Sequence, residues 1–358
     1  MNKNTIPVLA VVFIILLSGC TAQAVKTVKE KHSIRFCAAG DVMLDRGVKK
    51  HMETKGHNYP YEAVTDFIKS HDLAFCNLEG PVTDYKKRDK PFAFRCEPER
   101  FGEFMNTGFN IVSLANNHMF DCGAAGVTAT IAELNSRGLM HAGAGADREE
   151  SFKPAVAEVN GVKIALVAFA DFHHYIASNK ERLNMPQACY PALDDIKPAI
   201  ESAKELAPFV IVSWHWGEEY KHYPNKRQKM LGRLCVDAGA DLVIGHHPHV
   251  LQGAEYYKGK LILYSLGNFI FDQFHENRTE SAVFSCTIED NMIKDPFLTP
   301  VKIKRSKPYF ARKQEAKKIS EALLKYSEGM DIEVERKGAR IFLSGKKTVI
   351  AEGRRQCN

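Results

Sequence analysis

The sequence predicts an α/β fold built around a largely parallel core sheet. Short β-branched or aromatic-rich runs alternate with helical stretches through the first 250 residues, as βαβ units require. The 358 residues are 45% hydrophobic and 26% charged. That is ordinary globular composition, which excludes a disordered, collagen-like or polytopic membrane protein. From about Val250 the pattern changes to consecutive strands, so antiparallel structure is expected to complete the domain.

The expected strands of the first part are Ile34–Ala39, Leu73–Cys76, Asn110–Leu114, Val162–Phe169, Phe209–Val212 and Asp241–Ile244. Helical patterns fall between them at Ala124–Ser136, Leu193–Leu206 and Lys226–Ala238. The later strands are Leu261–Ser265, Ala282–Ile288 and Thr299–Lys304. Beyond them Lys313–Tyr326 reads as a basic helix, and Asp331–Glu335 with Ala339–Leu343 as a hairpin turning at Lys337-Gly338. The expected organisation is a main domain over 33–305 and a small basic α+β appendage over 306–358.

Charge supports that division. Residues 302–358 carry 16 Lys/Arg against 7 Asp/Glu, whereas the formal net charge of the whole chain is only +6. The basic tail suits contact with anionic lipid or an anionic polymer, or forms a solvated amphipathic cap. No nucleic-acid partner is expected.

The N-terminus reads as a targeting segment. Lys3 supplies a positive n-region, Val8–Leu17 is a ten-residue apolar run, and Leu17-Ser18-Gly19-Cys20 follows. The run is too short to span a bilayer, so residues 1–19 are a signal peptide. Leu-Ser-Gly-Cys resembles the bacterial lipobox, which implies cleavage before Cys20 and lipid attachment to its thiol; the alternative is a secretory signal with an incidental cysteine. Residues 20–32 then form a polar tether, and the protein is exported and lipid-anchored to the cell membrane or outer membrane. Of nine cysteines, Cys37, Cys76 and Cys286 fall in apolar strand-like runs, where buried free thiols are expected. The absence of a CxxC pair excludes a zinc ribbon or thioredoxin-like motif.

The chemistry gathers just past the expected strand ends. Asp41 follows the first, Asn77-Leu78-Glu79 the second, Asn116-Asn117-His118 the third, Trp214-His215 the next, and His246-His247-Pro248-His249 the last. In an open parallel sheet those ends line one edge, where ligands bind. Carboxylates and imidazoles clustered in one crevice need compensation, which a divalent metal supplies. Manganese, iron or zinc suits that donor set better than calcium. Taken singly, a post-strand aspartate such as Asp41 is more often a helix N-cap than a ligand, and His118 reads equally as a hydrogen-bonded loop histidine. His246 is expected to pack or cap, because His247-Pro248-His249 has the better H-x-H spacing.

The matching stretches are GDVMLDR at 40–46, NLEGPVT at 77–83, SLANNHMFDCG at 113–123, WHWGEEY at 214–220, GHHPHVLQG at 245–253 and LYSLGNFIFDQ at 263–273. On them the chain resembles the bacterial capsule-synthesis family called CapA or PgsA, associated with poly-γ-glutamate. The resemblance spans roughly residues 34–304. It implies a metallophosphoesterase-like four-layer α/β/β/α sandwich. It also implies metal ligation by Asp41, Glu79, Asn117, His215, His247 and His249, with His118 protonating a leaving group or stabilising charge.

Two departures bear on the number of ions. Met43 stands where metallophosphoesterases have the histidine of Asp-x-His, and Glu79 stands in the place of a bridging aspartate. The site built on Glu79, Asn117, His215 and His247 stays nearly intact. One ion is therefore expected, or two if Asp45 or water substitutes. Arg46, Lys90 and Arg95 are candidate contacts to a polycarboxylate, since guanidinium binds carboxylate bidentately; Lys90 and Arg95 read equally as solvated charges.

The resulting expectation is a membrane-anchored factor acting on or binding an anionic polymer such as poly-γ-glutamate. No G-x-x-x-x-G-K-[ST] is present, so separate synthetase or export subunits are implied. The alternatives are a metal-dependent hydrolase of phosphoesters or of the polymer's amide bonds, and a binding protein whose metal supports the fold.

Overall fold

The computed structural model describes residues 32–88, 91–172 and 184–346. The expected signal peptide, Cys20 as the expected lipidation site, most of the expected tether, Lys90 and His173-His174 lie outside the described residues. The first strands are β1 (Ser33–Val42), β2 (Leu73–Leu78), β3 (Ile111–Ser113), β4 (Met140–Ala142), β5 (Ala144–Gly145) and β6 (Ala155–Val159). Then come β7 (Val162–Ala170), β8 (Gln187–Ala188), β9 (Phe209–His215), β10 (Leu242–His246), β11 (Ala254–Tyr257) and β12 (Lys260–Leu263). The last are β13 (Asn268–Ile270), β14 (Glu280–Glu289), β15 (Met292–Lys304), β16 (Lys307–Phe310), β17 (Glu333–Lys337) and β18 (Arg340–Ser344). The helices are α1 (Arg46–Lys55), α2 (Thr65–Lys69), α3 (Pro98–Met105), α4 (Gly123–Ser136), α5 (Arg148–Ser151), α6 (Leu193–Leu206), α7 (Lys226–Asp237) and α8 (Lys313–Tyr326).

The core is two mixed sheets, as the expected α/β/β/α sandwich requires, and not the single largely parallel sheet that strand–helix alternation alone suggests. One sheet runs β17-β18-β15-β14-β1-β2-β3-β4, with β13 added beside β1 and β16 beside β15. Its β1-β2-β3-β4 part is parallel, and its β14, β15, β17 and β18 part antiparallel. The other sheet runs β11-β12-β10-β9-β7-β6, parallel at its centre and antiparallel at both edges. Local alternation of strand and helix reports neighbours along the chain, and it cannot assign a strand to one of two stacked sheets.

Alternation along β1 shows why the sheets stack. Ile34, Phe36 and Ala38 join a core shared with Phe75, Ile164, Leu166, Ile211 and Val243. Cys37 and Ala39 turn the other way, onto Val48 and Met52 of α1, Phe101 and Phe104 of α3, and Val127 and Leu134 of α4. A strand with two apolar faces must be covered on both. Ile196 and Ile200 of α6 and Leu231 and Cys235 of α7 cover the second sheet. The outcome is the α/β/β/α layering, in which each fully buried aliphatic or aromatic side chain contributes about 1.5–3 kcal/mol.

The C-terminal segment continues the first sheet. β15 turns through Arg305 and Ser306 into β16, and β18 pairs with β15 at Phe297↔Phe342. The hairpin turns at Gly338, whose φ of 63° suits a residue without Cβ. All seven described cysteines are buried free thiols. Among the described residues no helix is long and apolar enough to cross a membrane.

Candidate metal centre

Register brings the polar groups together. β1 places Asp41 opposite Asn77 of β2 and Asn268 of β13. β13 lies that close only because residue 40 is glycine: a Cβ there would stand 1.9 Å from the carbonyl oxygen of Gly267. The Asp41 amide then donates to that same oxygen at 3.0 Å. In the other sheet β9 places His215 opposite His246 of β10. The chain leaves β10 through His247 and His249, held at φ of 93° and 56°. Left-handed backbone is costly for a side chain with a Cβ, and it persists where the surrounding structure imposes it.

The crevice therefore lies between the two sheets, not along the edge of one. The first sheet and its loops contribute Asp41, Asn77, Glu79, Asn117 and Asn268; the second contributes His215, His246, His247 and His249. Asp41, Glu79 and His215 are at most 2% exposed, and one ligand atom of each lies within 4.8 Å of the others. Asn77 sits among them, its Nδ2 donating to Asp41 Oδ1 at 2.9 Å and standing 3.2 Å from His215 Nδ1. His215 Nε2 is 2.9 Å from Asn117 Oδ1 and 3.9 Å from Glu79 Oε1. Asp41 Oδ2 is 3.4 Å from His249 Nδ1 and accepts from the His247 amide at 3.2 Å. His249 Nδ1 also lies 2.9 Å from Asn268 Oδ1. His246 packs edge-on to Phe75 with its Nδ1 3.2 Å from Asp41 Oδ1.

The charges in this cluster are unbalanced. Burial works against the Asp41 carboxylate, but His246 and His249 hold it well below the usual carboxylate range. Burial and the Asp41 charge push Glu79 well above that range. His215 is driven well down by burial and by His247. His247 falls to about 3, through burial and the charge of His249. Burial opposes charge on His249 too, yet Glu79 and Asp41 push it up to about 9. Glu79 Oε2, His246 Nε2 and His247 Nδ1 are buried with no hydrogen-bond partner. Two buried carboxylates beside several imidazoles, with Glu79 Oε2 and His247 Nδ1 left unpartnered, fit a site for a divalent cation.

Other expected residues fall differently. Met43 is buried in the helix-side core, and its sulfur accepts from the Asp45 amide at 3.0 Å. Asp45 is committed elsewhere: Oδ1 caps α1 by accepting from the Arg46 amide, and Oδ2 accepts from Lys87 and from the Arg95 amide. It is thus no substitute ligand. The Arg95 side chain binds Glu97 and the carbonyls of Asp84 and Tyr85. Arg46 lies over the Phe94 ring at 4.7 Å and pairs with Asp272. Asp171 holds Arg227, and Phe172 packs on His215 and His247. Asn77, read beside Glu79 past the second strand, has no role assigned from the sequence, and Asn268 and Glu219 are not expected at the site. The first was signalled by an amide ending an apolar run, and the last by its place in WHWGEEY.

A cavity of about 470 Å³ opens onto the cluster. Its lining includes Arg46, Phe92, Phe94, Asn117, His118, Glu219, Tyr220 and His249. Four of these, Arg46, Phe92, Tyr220 and His249, hold positive φ. His118 is fixed there by its Nδ1, 2.8 Å from Asp121 Oδ2, and by stacking on Phe94 at 3.8 Å. Arg278 lies 3.5 Å over the Tyr220 ring.

Comparison with known proteins places this geometry. Residues 35–273 match the family described as bacterial capsule synthesis protein PGA_cap. The capsule biosynthesis protein CapA of Bacillus anthracis is 34% identical over 312 residues, covering 85% of this chain and 76% of that protein. The PGA biosynthesis protein CapA of Bacillus subtilis is 34% identical over 324 residues, covering 88% and 85%. Among solved structures, the calcineurin-like phosphoesterase YfkN of Bacillus subtilis aligns over 83% of this chain and 97% of its own. The identity there is 13% and the TM-score 0.40. The family match spans the cluster and its cavity, and with two relatives at 34% identity it shows that the chain belongs to the bacterial capsule synthesis family PGA_cap.

Proposed function

We propose that this protein serves poly-γ-glutamate capsule biosynthesis by binding the anionic polymer at the cell surface, where Cys20 anchors it. The observation that carries this reading is one cavity joined to two unlike anion-binding devices. Asn117 and His249, two of the expected cation ligands, line it together with the guanidinium of Arg46. A bound manganese, iron or zinc ion would supply a Lewis-acidic site for a side-chain carboxylate. Asp41, Glu79, Asn117 and His215 would hold that ion, and His247 and His249 adjoin them. Arg46, oriented by Asp272 and by the Phe94 and Phe271 rings, receives a second carboxylate bidentately. Spaced carboxylates along a polymer match such a pair of contacts, whereas a single small anion uses only one. The relatives' names, capsule biosynthesis and PGA biosynthesis, point the same way.

The test is binding of fluorescein-labelled poly-γ-glutamate to the full chain in manganese buffer. Arg46→Gln is expected to weaken binding about tenfold and chelation to weaken it further. Equal binding by wild type, variant and chelated protein contradicts the proposal. Anchoring is checked separately: Cys20→Ser is expected to move the protein from membrane to soluble fractions. The same distribution for both forms removes the anchor from the account.

A second reading, metal-dependent hydrolysis, is favoured by one observation. His118 lines the cavity, and Asp121 fixes its ring through Nδ1. An imidazole so oriented is placed to give a proton to a leaving group from Nε2. Turnover of bis-p-nitrophenyl phosphate or of the polymer, lost in His118→Ala with metal content unchanged, supports it. No turnover with any of the three metals removes it.

A further inference from the structure

We propose that Glu219 supplies a ligand to a second cation subsite, so that the chain holds two divalent ions, the second on a ligand other than the Asp45 or water that the sequence pattern offers. This rests on the metal-centre reading above and adds to it a carboxylate outside the Asp-x-His scheme.

The first-motif histidine found in two-ion sites is missing, and its replacement cannot reach the crevice. Met43 is fully buried among Val42, Leu44 and the α1 side chains, and its sulfur takes the Asp45 amide. Asp45 spends both carboxylate oxygens on the α1 cap, Lys87 and Arg95. Glu219 approaches from the opposite sheet. One ligand atom each of Glu219, His247 and His249 lies within 4.8 Å of the others. This group is distinct from that of Asp41, Glu79 and His215, yet it adjoins it: His249 Nδ1 is 3.4 Å from Asp41 Oδ2, and the His215 and His247 rings are 4.8 Å apart.

Two further observations point to a ligand there. His247 is 5% exposed, and its Nδ1 has no hydrogen-bond partner. Both histidines and the adjacent Tyr220 hold left-handed backbone. Tyr220 is tied down by its amide, which donates to the Pro248 carbonyl at 2.7 Å. That bond fastens the Glu219 loop to the loop carrying both histidines. A carboxylate on the exposed side and two imidazoles on the buried side form a mixed N/O set suited to manganese, iron or zinc. The exposed position of Glu219 leaves the outer side of the subsite facing the cavity, where a polymer carboxylate or water completes the coordination.

The test is manganese stoichiometry of the full chain after loading with MnCl2 and desalting, read by elemental analysis and by electron paramagnetic resonance. Wild type is expected to hold two ions with a spin-coupled spectrum. Glu219→Gln should hold one ion and show an uncoupled six-line spectrum. Glu218→Gln, an exposed neighbour outside the group, should keep two. Glu219 is exposed, so its variant is expected to fold, and circular dichroism matching wild type confirms this. One ion in wild type, or two in Glu219→Gln, overturns the inference while leaving the metal centre standing. No ion in any form overturns both.

Discussion

Glu79→Gln gives opposite results with and without divalent cation, and the difference follows from the structure. Glu79 and Asp41 are both buried, with ligand atoms within 4.8 Å. At an effective dielectric of about 20, two like charges at that separation repel by about 3 kcal/mol. Glutamine keeps the shape and removes the repulsion. In chelated protein the variant is therefore expected to be more stable than wild type, by at most about 3 kcal/mol. That corresponds to about 5 °C in melting temperature for a chain of this length. Proton uptake by Glu79, which burial and Asp41 favour, relieves part of the repulsion in wild type and sets this as the upper value. With saturating manganese the order inverts, because wild type gains the binding free energy and the variant has lost a ligand. Differential scanning fluorimetry with and without chelator reads both limbs. A variant less stable than wild type in both conditions would refute the reasoning, since it would mean that Glu79 serves packing and not ion binding.

Three further outcomes are expected. Manganese uptake should release protons and tighten as pH rises from 7 toward 9, because Glu79 and Asp41 hold the proton on His249 up to about 9 and the ion must displace it; calorimetry in two buffers of different ionisation enthalpy measures the release. Glu97 is disfavoured by burial but is held at about 2 by Lys49, Arg100 and Arg95. Its folded-state pKa is depressed, so its contribution is complete above about 4.5 and is lost as pH falls toward 2. Glu97→Gln should cost about 1 kcal/mol at pH 7, allowing for screening by water, and nothing at pH 2 in urea melts. Gly40→Ala drives a methyl into the Gly267 carbonyl and should remove most soluble protein on expression.

The long periodic elements were legible in the sequence. The helix expected at Leu193–Leu206 has those bounds, and Val162–Phe169 differs from its strand by one residue. Three-residue strands such as Met140–Ala142 and Asn268–Ile270 carry too few alternations to register, yet the second of these supplies Asn268 beside Asp41. The site was legible as residue types after strand ends, because few other patterns collect acids, amides and imidazoles there. The resemblance supplied the two-sheet layering, but not which strand lies in which sheet; Glu219 also escaped, since its neighbours His247 and His249 lie nearly thirty residues away in the chain. Arg95 illustrates the converse. Its guanidinium suggested a contact to a polycarboxylate, but Glu97 two residues on captures it locally.

The most direct measurement is an anomalous-difference map at the manganese edge, from crystals of the protein grown with MnCl2. A peak bonded to Asp41, Glu79 and His215 is expected, at metal–ligand distances of about 2.0–2.3 Å. A well-ordered map with all three side chains in place and no peak between them would contradict it.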